Sequence, residues 1–305
     1  MANDGFNRIS KPDVAIKIMG VGGLGIHVVD RMIALGYDAM DYIAVDTDEH
    51  TLEHSHAANR VLLRPVAEVN RTSITDLIDV ADMLIIIAGM GGETATGAAP
   101  VIARMATKAK VLTVGIAISP FPFEDEDTVE RAEAGFSKLM ENTDALISIW
   151  SEQIFRIVNE SMSVADLYLV LGNQIASQYG RCIAHIAKMM GERGNIVLDF
   201  DDVSTIVRNG GEAQMGTWEA EGENSIEIIT HMIRANPMLG KPIESAKSVL
   251  FNITGGAGLS LSDINLIAFN ILDLVDPETD VIWGQIVDES MGDDSIRVTL
   301  IASKL

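Results

Sequence analysis

Two glycine-rich stretches carry the chemistry of this chain. The first is Gly20-Val21-Gly22-Gly23-Leu24-Gly25, directly after the apolar run Val14–Met19. The second is Gly89-Met90-Gly91-Gly92-Glu93-Thr94-Ala95-Thr96-Gly97, directly after Met83–Ala88. Each follows an expected buried strand and opens an expected helix. Backbone N–H groups at such a junction point outward, and the helix dipole favours an anion there. Glycine lets the main chain approach phosphate oxygens without a Cβ in the way. One loop of this kind is a weak signal. Two of them, the second rich in threonine, point to a nucleotide polyphosphate held from two sides. Candidate phosphate holders are therefore Gly20, Gly22, Gly23, Gly25, Gly91, Gly92, Thr94, Thr96 and Gly97.

Taken alone, the first loop supports another reading. Gly20, Gly22 and Gly25 match Gly-x-Gly-x-x-Gly, and Asp46 ends the next expected strand, where a dinucleotide fold places its ribose carboxylate. An NAD-dependent oxidoreductase, or a tight turn without a ligand, would fit that segment. A dinucleotide fold has no use for a second Gly/Thr cradle after a later strand, whereas the outer phosphates of a triphosphate do. No Gly-x-x-x-x-Gly-Lys-Ser/Thr occurs, and no lysine is placed to reach phosphates. Backbone amides, threonine hydroxyls and a metal ion such as Mg2+ would have to do that work.

Positioning these loops requires a doubly wound sheet. Strand-like runs at Val14–Met19, Tyr42–Val45, Val61–Leu63, Met83–Ala88, Val111–Ile118 and Ala145–Ile149 alternate with helix-like stretches, which predicts a Rossmann-like parallel α/β sheet. Both loops fall beyond carboxyl ends of its strands, where such sheets bind ligands. From Ser163 to Met190, apolar residues recur at three- and four-residue spacing (Val164, Leu167, Leu171, Ile175, Tyr179, Cys182, Ile186, Met189), predicting one long helix capped by Ser163 and stopped by Gly191. Helical periodicity returns at Val203–Val207, Ile226–Ile233 and Ile264–Leu274. Strands are expected at Val249–Thr254, Val281–Asp288 and Arg297–Ala302, making a smaller α/β C-terminal domain. The expected organisation is a flexible leader (1–12), a nucleotide-binding domain (13–162), a central helix (163–191) and a C-terminal domain (192–305).

At 305 residues the chain can bury two cores. Its formal charge of −22 argues against non-specific binding to nucleic acid or anionic lipid. The sole cysteine, Cys182, excludes an internal disulfide and reads as core. The N-terminus lacks a signal-peptide core, and no apolar run reaches the roughly 18–20 residues of a membrane span; a cytoplasmic protein is expected. His50, His54 and His56 lie with Glu49 and Glu53 at spacings that could bind a transition metal, but the stretch reads as a solvated, flexible loop and no metal site is assigned.

Over residues 14–303 the sequence resembles the FtsZ/tubulin family, on the bacterial FtsZ side. The resemblance rests on Gly20–Gly25, Ile43-Ala44-Val45-Asp46-Thr47-Asp48, Ala88–Gly92 running on to Thr96–Pro100, Pro120-Phe121-Pro122-Phe123-Glu124, Asn252-Ile253-Thr254-Gly255-Gly256 and Asp288–Asp293. It implies a nucleotide-binding domain, a central helix and a C-terminal assembly domain. It also implies binding of GTP and GDP, and head-to-tail polymerisation of the chain with itself in cell division. Asp46 and Glu124 would then lie near the sugar and Asn173 near the base. The loop Gly194–Asp202 would present Asp199 and Asp202 to the nucleotide of the neighbouring subunit as catalytic carboxylates. A plainer reading of those two aspartates is that they favour the N-terminus of the helix starting near Val203.

Departures from the family pattern cluster around the nucleotide. Glu93 and Ala95 replace glycines of the second loop, Leu24 and Ile26 crowd the first, and His27 replaces an asparagine. The family's sugar arginine corresponds to Thr128, its base-recognition Asn-Asp to Gly172-Asn173, and the asparagine before the catalytic loop's aspartates to Val197. The segment 61–81 is short and lacks a Gly-Ala-Gly-rich loop. These changes favour a second reading, a filament-forming scaffold with little or no GTPase activity. Relatives carry a disordered linker and a short peptide that recruits membrane anchors; this sequence ends at Leu305 without either, so it is trimmed or its division partners differ.

Overall fold

Residues 16–149 contain the apolar runs that dictate the central sheet. The computed structural model describes residues 14–63, 71–156, 162–190, 196–208, 210–222, 224–235 and 242–305. The leader 1–12, Gly191 and the loop residues Gly194 and Asn195 lie outside the described residues, as does the part 64–70 of the short segment. Two compact units divide the chain, one ending at Lys188 and the other spanning Met189–Leu305.

In the first unit, six parallel strands run β1 (Ile16–Val21), β2 (Asp41–Asp46), β3 (Asn59–Leu62), β4 (Met83–Gly89), β5 (Leu112–Ile118) and β6 (Ala145–Ile149). Their order is β3-β2-β1-β4-β5-β6. This order is also that of dinucleotide-binding sheets, so topology alone does not choose between the two ligand classes. Met83–Ala88 is buried throughout because β4 sits between neighbours and is covered on both faces. Met19 and Val21 of β1 join a cluster with Ile74 and Ile78 of α3 (Arg71–Ile78), the alanines of α4 (Glu93–Lys108) and Leu139 of α5 (Glu126–Met140). Alternation sends Ile18 and Gly20 to the opposite face, and α1 (Gly22–Ala34) packs against β1, β2 and β4. The long helix α6 (Val164–Met189) begins with Ser163, whose hydroxyl accepts from Asp166 N–H at 3.2 Å and donates to its carboxylate at 2.6 Å. Cys182 is fully buried on it, and burial pushes its thiol pKa well up.

The histidine stretch departs from the expected loop. Asp48 accepts from the backbone N–H of His50 and Thr51, starting the short helix α2 (Glu49–His54). His54 Nδ1 lies 2.8 Å from His50 O, and the two rings are 4.4 Å apart. The carboxylate cap, a strong helix-start signal, outweighs the solvation that the polar composition suggested. Among the described residues no cluster of metal-ligating side chains is present.

In the second unit, β10 (Ser295–Ser303) pairs antiparallel with both β7 (Gly211–Glu221) and β8 (Ser248–Gly255), and β9 (Asp280–Val287) runs parallel to β8. Helices α8 (Ser225–Arg234) and α9 (Leu261–Leu272) supply Ile229, Ile233, Ile264 and Ile267 to a core with Trp218, Phe251 and Val298. Strand β7 is absent from the sequence reading. Its Gly-Glu-Ala-Gln-Met-Gly-Thr-Trp stretch lacks alternation because residues 213–218 are buried on both faces, and two glycines dilute its β propensity. No described helix is long and apolar enough to cross a membrane.

Candidate functional site

The first glycine loop is shaped by backbone contact. A Cβ on Gly20 would stand 2.5 Å from Gly25 O, and one on Gly25 would run into Ile87 O. These two glycines are where the turn folds back on β1 and β4, behind the exposed surface. Gly22 adopts φ +75°, a left-handed value that favours glycine, and leads into α1. Gly23, in contrast, is exposed with open space around its Cα.

Side chains hold the second loop. Gly91 has φ +102°, and a Cβ there would meet Thr128 Cγ2 at 2.7 Å. The hydroxyl of Thr96 accepts from Gly91 N–H at 2.9 Å. Arg131 Nε–H donates to Gly91 O at 2.9 Å and its Nη2 donates to Thr128 Oγ1 at 3.0 Å. Asp125 caps α5, accepting from the Thr128 N–H and hydroxyl, and these bonds hold its carboxyl below the usual range. The Thr94 and Thr47 hydroxyls share a hydrogen bond of 2.7 Å, tying the start of α4 to the end of β2. The loops meet where Ala95 packs beside Gly22.

Between them lies a cavity of about 280 Å3 lined by Gly22, Gly23, Gly92, Glu93, Thr94 and Glu124, with Leu24, Ser119 and Tyr168 among the remaining walls. Glu124 accepts from Phe121 N–H at 2.7 Å and from the Tyr168 hydroxyl at 2.6 Å. Desolvation, reinforced by that carboxylate, pushes the Tyr168 phenol well above its ordinary pKa. Phe121 meets the Tyr168 ring edge-on at a centroid distance of 4.9 Å. The cavity thus combines backbone amides at two helix starts with an aromatic, carboxylate-bearing wall.

Several expected residues do not line it. Gly20, Gly25 and Gly91 shape the turns behind, and Thr96 is used to hold Gly91. Asp46 is buried, its Oδ1 accepting from the N–H groups of Thr47 and Asp48 at the end of β2. Gly97 is exposed one turn into α4, and Asn173 is half-buried on α6. Glu93, an acidic side chain facing expected phosphates, does line the cavity. Tyr168 and Arg131 escaped sequence reasoning. Tyr168 lies off the apolar stripe of α6, and its only sequence signal is a polar-tipped aromatic in the helix's second turn. Arg131 stands one helical turn after Thr128.

In the second unit Asp199 and Asp202 form a reciprocal cap at α7 (Phe200–Val207). Asp202 N–H donates to Asp199 Oδ1 at 2.9 Å, and Asp199 N–H donates to Asp202 Oδ2 at 3.0 Å. The helix-start role read from sequence is therefore present. Each carboxylate commits one oxygen to the cap in these bonds.

Residues 64–159 match the GTPase domain of the Tubulin/FtsZ family, and residues 211–305 match the C-terminal domain of the FtsZ family. The cell division protein FtsZ of Bartonella bacilliformis is 36% identical over 97% of this chain and 53% of its own length. That of Caulobacter vibrioides is 34% identical over 94% of this chain and 59% of its own. The chain therefore spans little more than half the length of these relatives. Cell division protein FtsZ 2 of Rhizobium meliloti is 34% identical over 95% of this chain and 88% of its own length. A solved FtsZ dimer, empty, from M. jannaschii superposes with a TM-score of 0.80 at 26% identity, covering 95% of this chain and 88% of that one. CetZ2 from Haloferax volcanii, in a GTPgS bound protofilament, shares the fold with a TM-score of 0.74 at 18% identity. Matches of this extent, in both units, lead to one conclusion: this chain belongs to the FtsZ family.

Proposed function

We propose that the first unit binds GTP and GDP in the cavity between the glycine loops, and that the chain polymerises head to tail as a cell-division GTPase. The observation that carries this reading is the double cradle: two helix starts, α1 and α4, open on one cavity with Gly22, Gly23, Gly92 and Thr94 on its wall. Peptide N–H groups and the two helix dipoles would bind the phosphates, which matters in a chain with a charge of −22. Glu124 and Tyr168 stand at one side of the cavity as a hydrogen-bonding pair for the sugar, and Asn173 would take the base. Glu93 opposes a triphosphate unless a cation offsets it; Mg2+ bound with the nucleotide would supply that charge.

Hydrolysis is proposed to need a second subunit. Asp199 and Asp202 of one copy would face the terminal phosphate bound by the next and orient the attacking water. The cap at α7 would keep both carboxylates in place, since each is already fixed by one hydrogen bond. Asp199→Asn keeps an oxygen for the cap but loses the charge. It is expected to bind GTP unchanged, melt close to wild type, and turn over at least about tenfold more slowly. Unchanged turnover would remove Asp199 from the mechanism.

A second reading, a filament that hydrolyses little GTP, is favoured by Glu93 on the cavity wall. GTP turnover measured against protein concentration with Mg2+, alongside light scattering, separates the two. Turnover per subunit that climbs above a threshold together with scattering supports the split site. Scattering without turnover supports the scaffold, and neither signal would sink both.

A further inference from the structure

We infer that Arg131 is a positioning residue that sets the direction of the Gly91–Gly92 peptide and so aims the Gly92 N–H into the cavity. The inference rests on the nucleotide-binding reading above. A trans peptide is planar, with its C=O and N–H pointing opposite ways, and the chain has no cis peptide among its described residues. Holding the Gly91 carbonyl toward α5 therefore turns the Gly92 N–H away from α5. Gly92 lies on the cavity wall, and among the described residues no protein acceptor takes its N–H.

This peptide needs an external hold. It is flanked by glycine on both sides, so no Cβ resists its rotation. Gly91 is pinned at both polar atoms, its N–H by Thr96 at 2.9 Å and its O by Arg131 Nε at 2.9 Å. Arg131 is itself fixed by Thr128, whose hydroxyl accepts from Nη2 and donates to Asp125 at 2.9 Å. A chain of directed hydrogen bonds thus runs from the cap of α5 to the second loop. Without it, the peptide can turn over and present a carbonyl oxygen to the phosphates instead of a donor.

The donating atom makes the idea testable. In glutamine the side-chain nitrogen is the same number of bonds from Cα as Nε of arginine; in lysine that position is a carbon, and the charge lies one atom beyond. R131Q keeps the donor and loses the charge, whereas R131K keeps the charge and loses the donor at that place. GDP binding to wild type, R131A, R131Q and R131K would be measured by calorimetry, with melting of each nucleotide-free protein in parallel. The Gly92 amide resonance of nucleotide-free protein supplies a readout independent of ligand. R131A and R131K are expected to bind GDP about tenfold more weakly, the loss of one well-aimed donor, while each remains folded well above the assay temperature. R131Q is expected to stay within about threefold of wild type, and the Gly92 resonance should move in R131A but not in R131Q. Equal GDP affinity in wild type and R131A would overturn the inference, as would retention in R131K with loss in R131Q, which would make the charge the cause. Should wild type bind no GDP or GTP, the nucleotide reading itself fails and takes this inference with it.

Discussion

The two glycine loops serve one cavity but are held in different ways. Gly20 and Gly25 are locked by the main chain itself, against each other and against the Ile87 carbonyl of β4. The loop Gly89–Gly97 is held by side chains, Thr96 from its own helix and Arg131 and Thr128 from α5. A loop fixed by backbone close approach tolerates almost no substitution at its glycines, but it has few moving parts. A loop fixed by side chains can be tuned, one hydrogen bond at a time, without disturbing the sheet. On the second loop, Thr128 packs against Gly91 and Glu93 lines the cavity.

The sharpest test of the contrast is Gly25→Ala. A methyl at that position must displace the Ile87 backbone, so the variant is expected to lose about 3 kcal/mol or fail to fold. Urea denaturation reads the loss, and wild-type stability would break the contrast. Next comes Thr96→Val in the second loop. It keeps the shape and removes the acceptor for Gly91 N–H, with an expected cost of about 1–2 kcal/mol. The fold should be intact by circular dichroism and GDP affinity reduced. A loss of stability as large as that of Gly25→Ala would show that the second loop is as structural as the first.

Gly23→Ala refines the picture within the first loop. Nothing lies within 4 Å of a Cβ there, and Gly23 is in the first turn of α1. Stability should hold or rise by about 0.5–1 kcal/mol, since alanine loses less entropy in a helix, while nucleotide affinity falls because the methyl occupies the phosphate's approach. Unchanged affinity would mean that phosphate does not come close to Gly23. The smallest expected effect concerns pH. Hydrogen bonds from Thr128 depress the folded-state pKa of Asp125, so its contribution to stability is present above the unfolded carboxyl value and is lost as pH falls through the lower folded value. A wild-type minus Asp125→Ala difference in melting temperature should therefore be flat from neutral pH down to about 4 and shrink below it. A difference that grows under acid would contradict the assigned cap.

Much of the first unit was legible because its signals are local. Runs such as Met83–Ala88 are long enough to mark buried parallel strands, and Ala145–Ile149 coincides with β6 residue for residue. Ser163 at the start of α6 was readable because a cap depends on residues within one turn. Of the expected site, Gly22, Gly23, Gly92, Thr94 and Glu124 line one cavity, each beside a strand end that could be read directly. The histidine stretch and β7 were misjudged for opposite reasons. A six-residue helix offers too little periodicity to recognise, and a strand covered on both faces loses its alternation.

By itself, then, the sequence determined the parallel sheet, the two glycine turns and the capped long helix, because strand burial, glycine backbone freedom and capping act over a few neighbouring residues. Only the tertiary structure decided that Tyr168 reaches Glu124 across 44 residues, that Thr47 meets Thr94, and that Arg131 grips the Gly91 carbonyl 40 residues away. Hydrogen bonds of that kind depend on how helices seat on the sheet and on where each side chain ends. No spacing along the chain encodes that placement, and it is the placement that turns two glycine loops into one cavity.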